Sequence, residues 1–193
     1  MLSTNFGGSS FKATVMTTML ASTLLNRGSV GAQIVSDGTT NTKVTVNQNI
    51  SSIAGGIQSG INLFHSFEQF SLTTDSTASF DNGLDVENIF SRVTGGVSEI
   101  DGLIQTQGNA DLFFLNPAGI IFGANAQLDV GGSFIATTGD RLIFEDGTEF
   151  GAVNPEKSLL TVSFPVGLQY GNGGAIALLP NANRVFSSSG LNV

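Results

Sequence analysis

The chain has 193 residues, no cysteine and a formal net charge of -8 at pH 7. These values exclude disulfides and thiolate metal sites, and they leave no electrostatic footprint for binding nucleic acid or an anionic membrane. Only 11% of the residues are charged while 25 are glycine, which favours many short strands joined by tight turns over long surface helices.

Residues 1–32 have the pattern of a signal peptide. Lys12 precedes an apolar run from Ala13 to Leu25, which is too short to span a bilayer. The small residues Val30-Gly31-Ala32 predict cleavage between Ala32 and Gln33 after entry through the Sec translocon. The alternative is that this segment is an amphipathic N-terminal helix of a cytosolic protein.

From Thr42 onward, short β-prone runs alternate with Gly, Asn and Asp, and helical spacing of apolar residues is not sustained. This pattern predicts an all-β sandwich, barrel or solenoid. The runs are TKVTVNQNI, NLFHSFEQFSL, TASFDNG, IFSRVTGG, DGLIQTQG, ADLFFLN, GIIFGAN, AQLDVGG, SFIATT and RLIFEDG.

The connections between these runs favour a solenoid without excluding a sandwich. Many are as short as Asn125-Ala126 or Gly131-Gly132, which suits stacked strands. Asp81-Asn82-Gly83 and Asp146-Gly147 have the composition of hairpin turns, so some antiparallel pairing is expected. The less regular segment up to about Ser71 is expected to cap the end of the solenoid.

The candidate chemical groups do not form a catalytic pattern. His65, the one histidine, neighbours Ser66 but lies among phenylalanines in a strand pattern, so a structural histidine is expected. Asp81, Asp85 and Glu87 alternate as calcium ligands on one strand face would, yet lack the order of an EF-hand loop, and solvated turn carboxylates are expected. The sequence therefore predicts no enzyme activity, no metal and no cofactor.

The segment LFFLNPAGIIFG, residues 112–123, places a turn sequence between two apolar runs. Pro117 removes a backbone donor, and Gly119 permits a positive φ. Asn116 can accept a hydrogen bond from the backbone two residues on and so form an Asx-turn. The segment thus predicts a stiffened turn between two buried strands.

Three stretches together resemble the filamentous-haemagglutinin N-terminal domain, the haemagglutination activity domain of two-partner secretion exoproteins. They are INLFHSFEQFSL, ENIFSRVTGG and SEIDGLIQTQGNADLFFLNPAGIIFGANAQLDVGGSFIATT. The resemblance implies a right-handed parallel β-helix with an N-terminal cap and small extra-helical β elements. It implies a secretion domain over residues 33–170, followed by a divergent tail, 171–193, that could begin a truncated passenger.

The resemblance also implies a function that the residues alone do not give. In this family the domain is bound in the periplasm by POTRA domains of a cognate outer-membrane β-barrel transporter, and it nucleates β-helix folding at the surface of a two-membrane bacterium. The family's Asn-Pro-Asn/Ala-Gly-Ile motif maps onto Asn116, Pro117, Ala118, Gly119 and Ile120, the candidate recognition residues. Its Asn-Pro-Asn-Leu motif has no counterpart, and DNGLDVENIFSRVTGG stands roughly in that region.

Two alternatives belong to other classes of function. One is a surface adhesin that binds carbohydrate or a host or neighbouring cell through the sides of the β-helix. The other is a β-helix enzyme that degrades polysaccharides with paired carboxylates, although no local acidic cluster stands out as its site.

Overall fold

The computed structural model describes residues 33–155 and 160–180, so the predicted signal peptide with Ala32, and the tail from residue 181, lie outside the described residues. The described residues form seventeen strands and contain no helix long and apolar enough to cross a membrane. The strands are β1 (Gln33–Ser36), β2 (Thr42–Asn47), β3 (Ile50–Gly55), β4 (Ile57–Ser59), β5 (Asn62–Ser71), β6 (Thr77–Phe80), β7 (Asn88–Val93), β8 (Ser98–Ile100), β9 (Leu103–Gln105), β10 (Asp111–Leu115), β11 (Ile120–Phe122), β12 (Gln127–Asp129), β13 (Phe134–Thr137), β14 (Arg141–Phe144), β15 (Glu149–Gly151), β16 (Pro165–Gln169) and β17 (Ile176–Leu178).

Most of these strands stack into three sheets that run along one axis. Sheet A has the order β1-β5-β7-β10-β13, with β4 also paired to β5. Sheet B has the order β12-β9-β6-β3-β2, and sheet C has the order β17-β11-β8. Because successive strands β7, β8, β9 and then β10, β11, β12 visit sheets A, C and B in turn, the chain winds as a parallel β-solenoid of about three turns. The predicted fold class is confirmed.

Each turn of the solenoid, or rung, contributes apolar residues to one continuous interior column. Leu63, Ile89 and Leu112 occupy equivalent positions on β5, β7 and β10 in register, and all three are buried. Alternate residues point to the opposite face of a strand, so Phe64 and Phe90 lie on the outer face of sheet A. The strands are short because each crosses only one side of this narrow column.

Antiparallel strands cap the N-terminal end of the solenoid. Strands β1 and β4 pair antiparallel with β5, and β2 pairs antiparallel with β3 at the end of sheet B. The predicted cap boundary at Ser71 is wrong, because β5 already belongs to the first rung and pairs parallel with β7 from Asn62 to Phe67. Strand β3 likewise pairs parallel with β6, from Ile50 to Ile53, so the capping strands are β1, β2 and β4.

The two predicted hairpin turns have different outcomes. Asp146-Gly147 joins the antiparallel strands β14 and β15, as expected. Asp81-Asn82-Gly83 instead forms a corner between β6 in sheet B and β7 in sheet A, so the expectation of a hairpin there is wrong. The same turn chemistry suits both tasks, and only the stacking of neighbouring rungs decides between them.

Strands β14, β15 and β16 form an extra-helical antiparallel sheet between β13 and β17. Phe144 and Phe150 of this sheet pack against Phe64 on the outer face of sheet A, with ring centroids 6.1 Å and 5.1 Å away. Arg92, which is only 2% exposed, fixes the contact by donating to the Gly151 carbonyl at 2.7 Å. Its guanidinium also donates to Thr39 of the cap, Ser66 of the first rung and the Pro155 carbonyl.

Candidate functional site

The sequence-predicted turn lies at the corner between sheets A and C in the third rung, joining β10 to β11. Asn116 follows the last residue of β10, and its backbone N-H donates to the Thr137 carbonyl at 2.9 Å. Thr137 belongs to β13, which with β17 forms an incomplete fourth rung. The side chain of Asn116 has no exposed surface. An uncharged amide is therefore buried at a place where the chain must change direction.

Both polar atoms of the buried Asn116 side chain form hydrogen bonds. Nδ2 donates to the Gly96 carbonyl at 3.0 Å and to Ser98 Oγ at 2.8 Å, both in the second rung. Oδ1 accepts from the Ala118 N-H at 2.9 Å, which is the Asx-turn expected from the sequence. The amide thus shapes its own turn and ties the third rung to the second.

The remaining residues of the motif complete the corner. Gly119 has φ +125, a value that L side chains rarely adopt, and its N-H donates to the Asn116 carbonyl at 3.1 Å. Its carbonyl accepts from the Ser98 N-H at 3.0 Å. Ile120 enters the buried column, whereas Pro117 is half-buried and Ala118 is exposed.

The corner is covered from the other side where the chain returns from the extra-helical sheet. The Gly174 N-H donates to the Pro117 carbonyl at 2.7 Å. A Cβ at Gly174 would lie 2.2 Å from the Ala118 carbonyl oxygen, so only glycine fits at this approach. The motif is enclosed between the second and fourth rungs, and a partner of the folded domain has access to Ala118 but not to the side chain of Asn116.

Other corners use buried or stacked polar side chains that the sequence interpretation missed. Asn82, only 3% exposed, donates through Nδ2 to the Gln107 carbonyl and accepts through Oδ1 from the Gln107 N-H, both at 2.9 Å. Asp101 accepts hydrogen bonds from Thr74 in the rung before it and from Asn125 in the rung after it. The signal available in the sequence was the recurrence of Asn and Asp at similar places in successive rungs.

His65 and Ser66 do not form a nucleophile and base pair. The two residues are neighbours on β5 and point to opposite faces of it. His65 lies inside the column, where burial lowers its pKa to about 4, and its Nδ1 lies 3.0 Å from the Thr42 hydroxyl. Ser66 Oγ donates to Asp37 at 2.5 Å and accepts from Arg92. A structural histidine is confirmed.

Two of the three carboxylates considered as calcium ligands, Asp81 and Asp85, have different partners. Asp81 accepts from Gln107, whereas Asp85 accepts from Gln58. Over residues 33–155 and 160–180, no three acidic or histidine side chains come close enough together to hold a metal ion. Gln33, the predicted first residue after signal cleavage, is the first described residue and begins β1.

The comparison with known protein families agrees with the architecture. The family model of the TPS secretion domain matches residues 32–190. No curated protein matches the sequence. A domain of this kind is a secretion domain and not a catalytic one, and it implies a cognate outer-membrane transporter and export through the periplasm of a Gram-negative bacterium. The chain therefore belongs to the TPS secretion domain family and is part of a two-partner secretion exoprotein.

Proposed function

We propose that POTRA domains of the cognate transporter bind this domain while it is unfolded in the periplasm, and that Asn116 to Ile120 then help to nucleate its folding at the cell surface. The single observation that carries the proposal is the burial of Asn116. Its amide has no exposed surface and joins two rungs. A partner that reads this side chain must therefore meet the chain before the solenoid forms.

An unfolded chain offers what a periplasmic receptor can recognise. An extended segment can add a strand to an exposed sheet edge, where main-chain hydrogen bonds give affinity and alternate side chains give specificity. The sequence around the motif, LFFLNPAGIIFG, has apolar side chains on both sides of a stiff turn. Such a segment is suited to binding in extended form on either side of Pro117.

The folded position of the motif suits nucleation. The side chain of Asn116 contacts the second rung, and its backbone N-H contacts the fourth. The backbone N-H of Ile120 donates to the Ala175 carbonyl at 3.0 Å. Forming this corner therefore fixes neighbouring rungs relative to one another. A repeat structure can then extend from that point, since each rung contacts mainly its neighbours.

Export is proposed to begin with cleavage of residues 1–32 by signal peptidase after Sec translocation. The family match begins at residue 32 and β1 begins at Gln33, so the proposed cut between Ala32 and Gln33 removes only the first matched residue and leaves β1 intact. N-terminal sequencing of the secreted product is the test. A mature N-terminus inside β1 would contradict the proposed site.

Binding to the transporter is tested with the unfolded mature chain, residues 33–193, diluted from urea onto immobilised POTRA domains encoded beside the gene. Wild type is compared with Asn116→Ala and with the matched control Asn82→Ala. Both asparagines are buried corner amides that bond across rungs, but only Asn116 lies in the motif.

We expect the unfolded wild type and Asn82→Ala to bind equally and Asn116→Ala to bind more weakly. Equal binding by all three chains would assign Asn116 to folding alone. Failure of the unfolded wild type to bind the POTRA domains would overturn transporter recognition itself. Folded wild type serves as a second control, and we expect it to bind less than the unfolded chain.

A further inference from the structure

A lateral groove runs between the outer edge of the solenoid and the start of β16, away from the Asn116 corner. Its volume is about 790 Å³, within the range of pockets that hold small ligands or peptide segments. Phe113 of the third rung and Phe164 and Pro165 of the extra-helical segment line it, together with Leu84 from the corner between sheets B and A. Pro165 is the residue of β16 that lines this groove, and it has no backbone N-H to donate to a ligand.

The apolar side chains around this groove are unusually exposed. Leu84 is 84% exposed and Phe164 is 56% exposed. Val166 and Leu168 of β16 do not line the groove, although they are 64% and 39% exposed. Exposed apolar side chains grouped around one groove, as Leu84 and Phe164 are, mark an interaction site.

The charges of the groove indicate the sign of its ligand. Glu87 and Asp111 contribute the two carboxylates among the lining residues, and none of the lining residues that the structure describes is Lys or Arg. Asp111 keeps its place because its Oδ1 accepts from the Ser133 N-H at 2.6 Å. Glu87 is exposed at the groove wall. A cationic side chain beside an apolar one complements this arrangement.

We propose that this groove binds a peptide segment of another protein that carries aliphatic side chains and at least one Lys or Arg. Its aliphatic side chains contact Phe113, Phe164 and Leu84. Its cation pairs with Glu87 or Asp111.

The groove belongs to the folded domain, because Phe113 and Phe164 come from different parts of the chain and meet only when the extra-helical sheet is docked. The inference is therefore separate from recognition of the unfolded chain by the transporter. Failure of the unfolded chain to bind POTRA domains would not contradict peptide binding by the groove. Failure of the folded domain to bind peptides would not contradict the proposed export function.

The probe is a phage-displayed library of random octapeptides, selected on the folded mature domain. The strongest selected peptide is then synthesised with a fluorescent label, and its affinity is measured by anisotropy. Two groove variants, Leu84→Ser with Phe164→Ser and separately Glu87→Gln, are compared with the matched controls Val46→Ser and Glu99→Gln. The control residues are exposed on other faces of the solenoid.

We expect selected peptides to combine aliphatic residues with Lys or Arg. The double variant should weaken binding about tenfold or more, and Glu87→Gln should weaken it about threefold at low salt and less at high salt. The controls should match wild type. Circular dichroism and urea midpoints confirm that the variants are folded.

Three results would overturn the proposal. Selection of no peptide family above background is the first, and unchanged affinity in the double variant is the second. The third is evidence that the groove binds a different ligand. A wild-type dimer in sedimentation that the double variant abolishes would assign the groove to a second copy of the chain. Binding on a glycan array that the double variant abolishes would assign it to a carbohydrate.

Discussion

Asn116 shows how one side chain can hold a corner of a solenoid. Its amide donates to Gly96 and Ser98 in one rung and accepts from Ala118 in its own turn. We predict that Asn116→Ala lowers the free energy of unfolding by about 2–4 kcal/mol, because the Gly96 carbonyl, the buried Ser98 hydroxyl and the Ala118 N-H lose their partner at once. Urea denaturation of the mature domain measures this loss.

Two further substitutions separate the amide from the stiffness of the turn. Asn116→Asp keeps the acceptor for Ala118 but loses both donors, so it should be at least as damaging as alanine. Pro117→Ala keeps every hydrogen bond of Asn116 and should cost about 1 kcal/mol or less. A Pro117→Ala variant as unstable as Asn116→Ala would show that turn stiffness, and not the buried amide, holds the corner.

His65 predicts a pH dependence of stability at the residue scale. Burial lowers its folded pKa from 6.5 to about 4, so the unfolded chain binds the proton more readily between these values. The stability is present above pH 6.5 and is lost as the pH falls toward 4, by about 3 kcal/mol in all. Unfolding midpoints in urea at pH 7.5 and pH 4.5 measure the loss.

The matched variant is His65→Gln, which can still bond to Thr42 but cannot titrate. Its stability should be nearly constant between pH 6.5 and 4.5.

The carboxyls of Asp37 and Asp101 do not titrate between pH 6.5 and 4.5, so they do not contribute to the predicted loss of stability. Burial raises the pKa of Asp37, but hydrogen bonds from Ser66 and Thr39 and the charge of Arg92 lower it by more. The hydrogen bond from Thr74 is the main cause of the lowered pKa of Asp101. Both pKa values are therefore lowered, and the stability that these carboxylates contribute is lost below about pH 3.8. A wild type equally stable at pH 7.5 and 4.5 would contradict the prediction.

At the scale of the element, the corners between sheets depend on close stacking of backbone. A Cβ at Gly131 would lie 1.9 Å from the Gly108 carbonyl oxygen of the preceding rung, whereas a Cβ at Gly96 would meet nothing within 4 Å. We predict that Gly131→Ala destabilises the domain by about 2–3 kcal/mol, because the two backbones must separate. The free energy of unfolding of Gly96→Ala should be within about 0.5 kcal/mol of the wild-type value or higher than it. Equal urea midpoints for the two variants would contradict this account.

Ten of the seventeen strands were predictable from sequence because their signals are local. Alternating apolar residues bounded by Gly, Asn and Asp marked them, and each quoted run coincides with one of these ten. The strands that fall outside the quoted runs are β1, β3, β4, β8, β15, β16 and β17. The corner at Asp81-Asn82-Gly83 was not predictable, since Asn82 is held by Gln107 in the next rung. The cap boundary failed for a similar reason: pairing partners, and not the sequence of β5, distinguish cap from rung.

The candidate site was predictable only in part. The Asx-turn of Asn116 involves a residue two positions away and could be inferred from the motif. Its burial depends on Gly96 and Ser98, which come from the preceding rung. The lateral groove was missed altogether, because Leu84, Phe113 and Phe164 are brought together only by the docked extra-helical sheet.

At the scale of the whole molecule, the outer face of sheet A links the order of the rungs to the docking of the extra-helical sheet. Phe64 and Phe90 stack with ring centroids 5.1 Å apart, and Phe113 continues the stack 4.7 Å from Phe90. Phe144 of β14 contacts both of the first two rings, at 6.1 Å and 5.2 Å. The surface that receives β14 therefore exists only after successive rungs have formed.

This dependence predicts a folding order that pulsed hydrogen exchange during refolding can measure. Backbone amides of β5, β7 and β10 should gain protection together, and those of β14 to β16 should follow, because the extra-helical sheet lacks a docking face before that point. Phe144→Ala should weaken protection of the extra-helical sheet and speed its opening without slowing the formation of the rungs. Phe114→Ala, which removes a ring from inside the column, should slow the rungs themselves. Protection of β14 to β16 ahead of the rungs, or slower rung formation in Phe144→Ala, would mean that the extra-helical sheet takes part in the nucleus. Folding at the cell surface would then require the chain to emerge as far as β16 before any rung became stable.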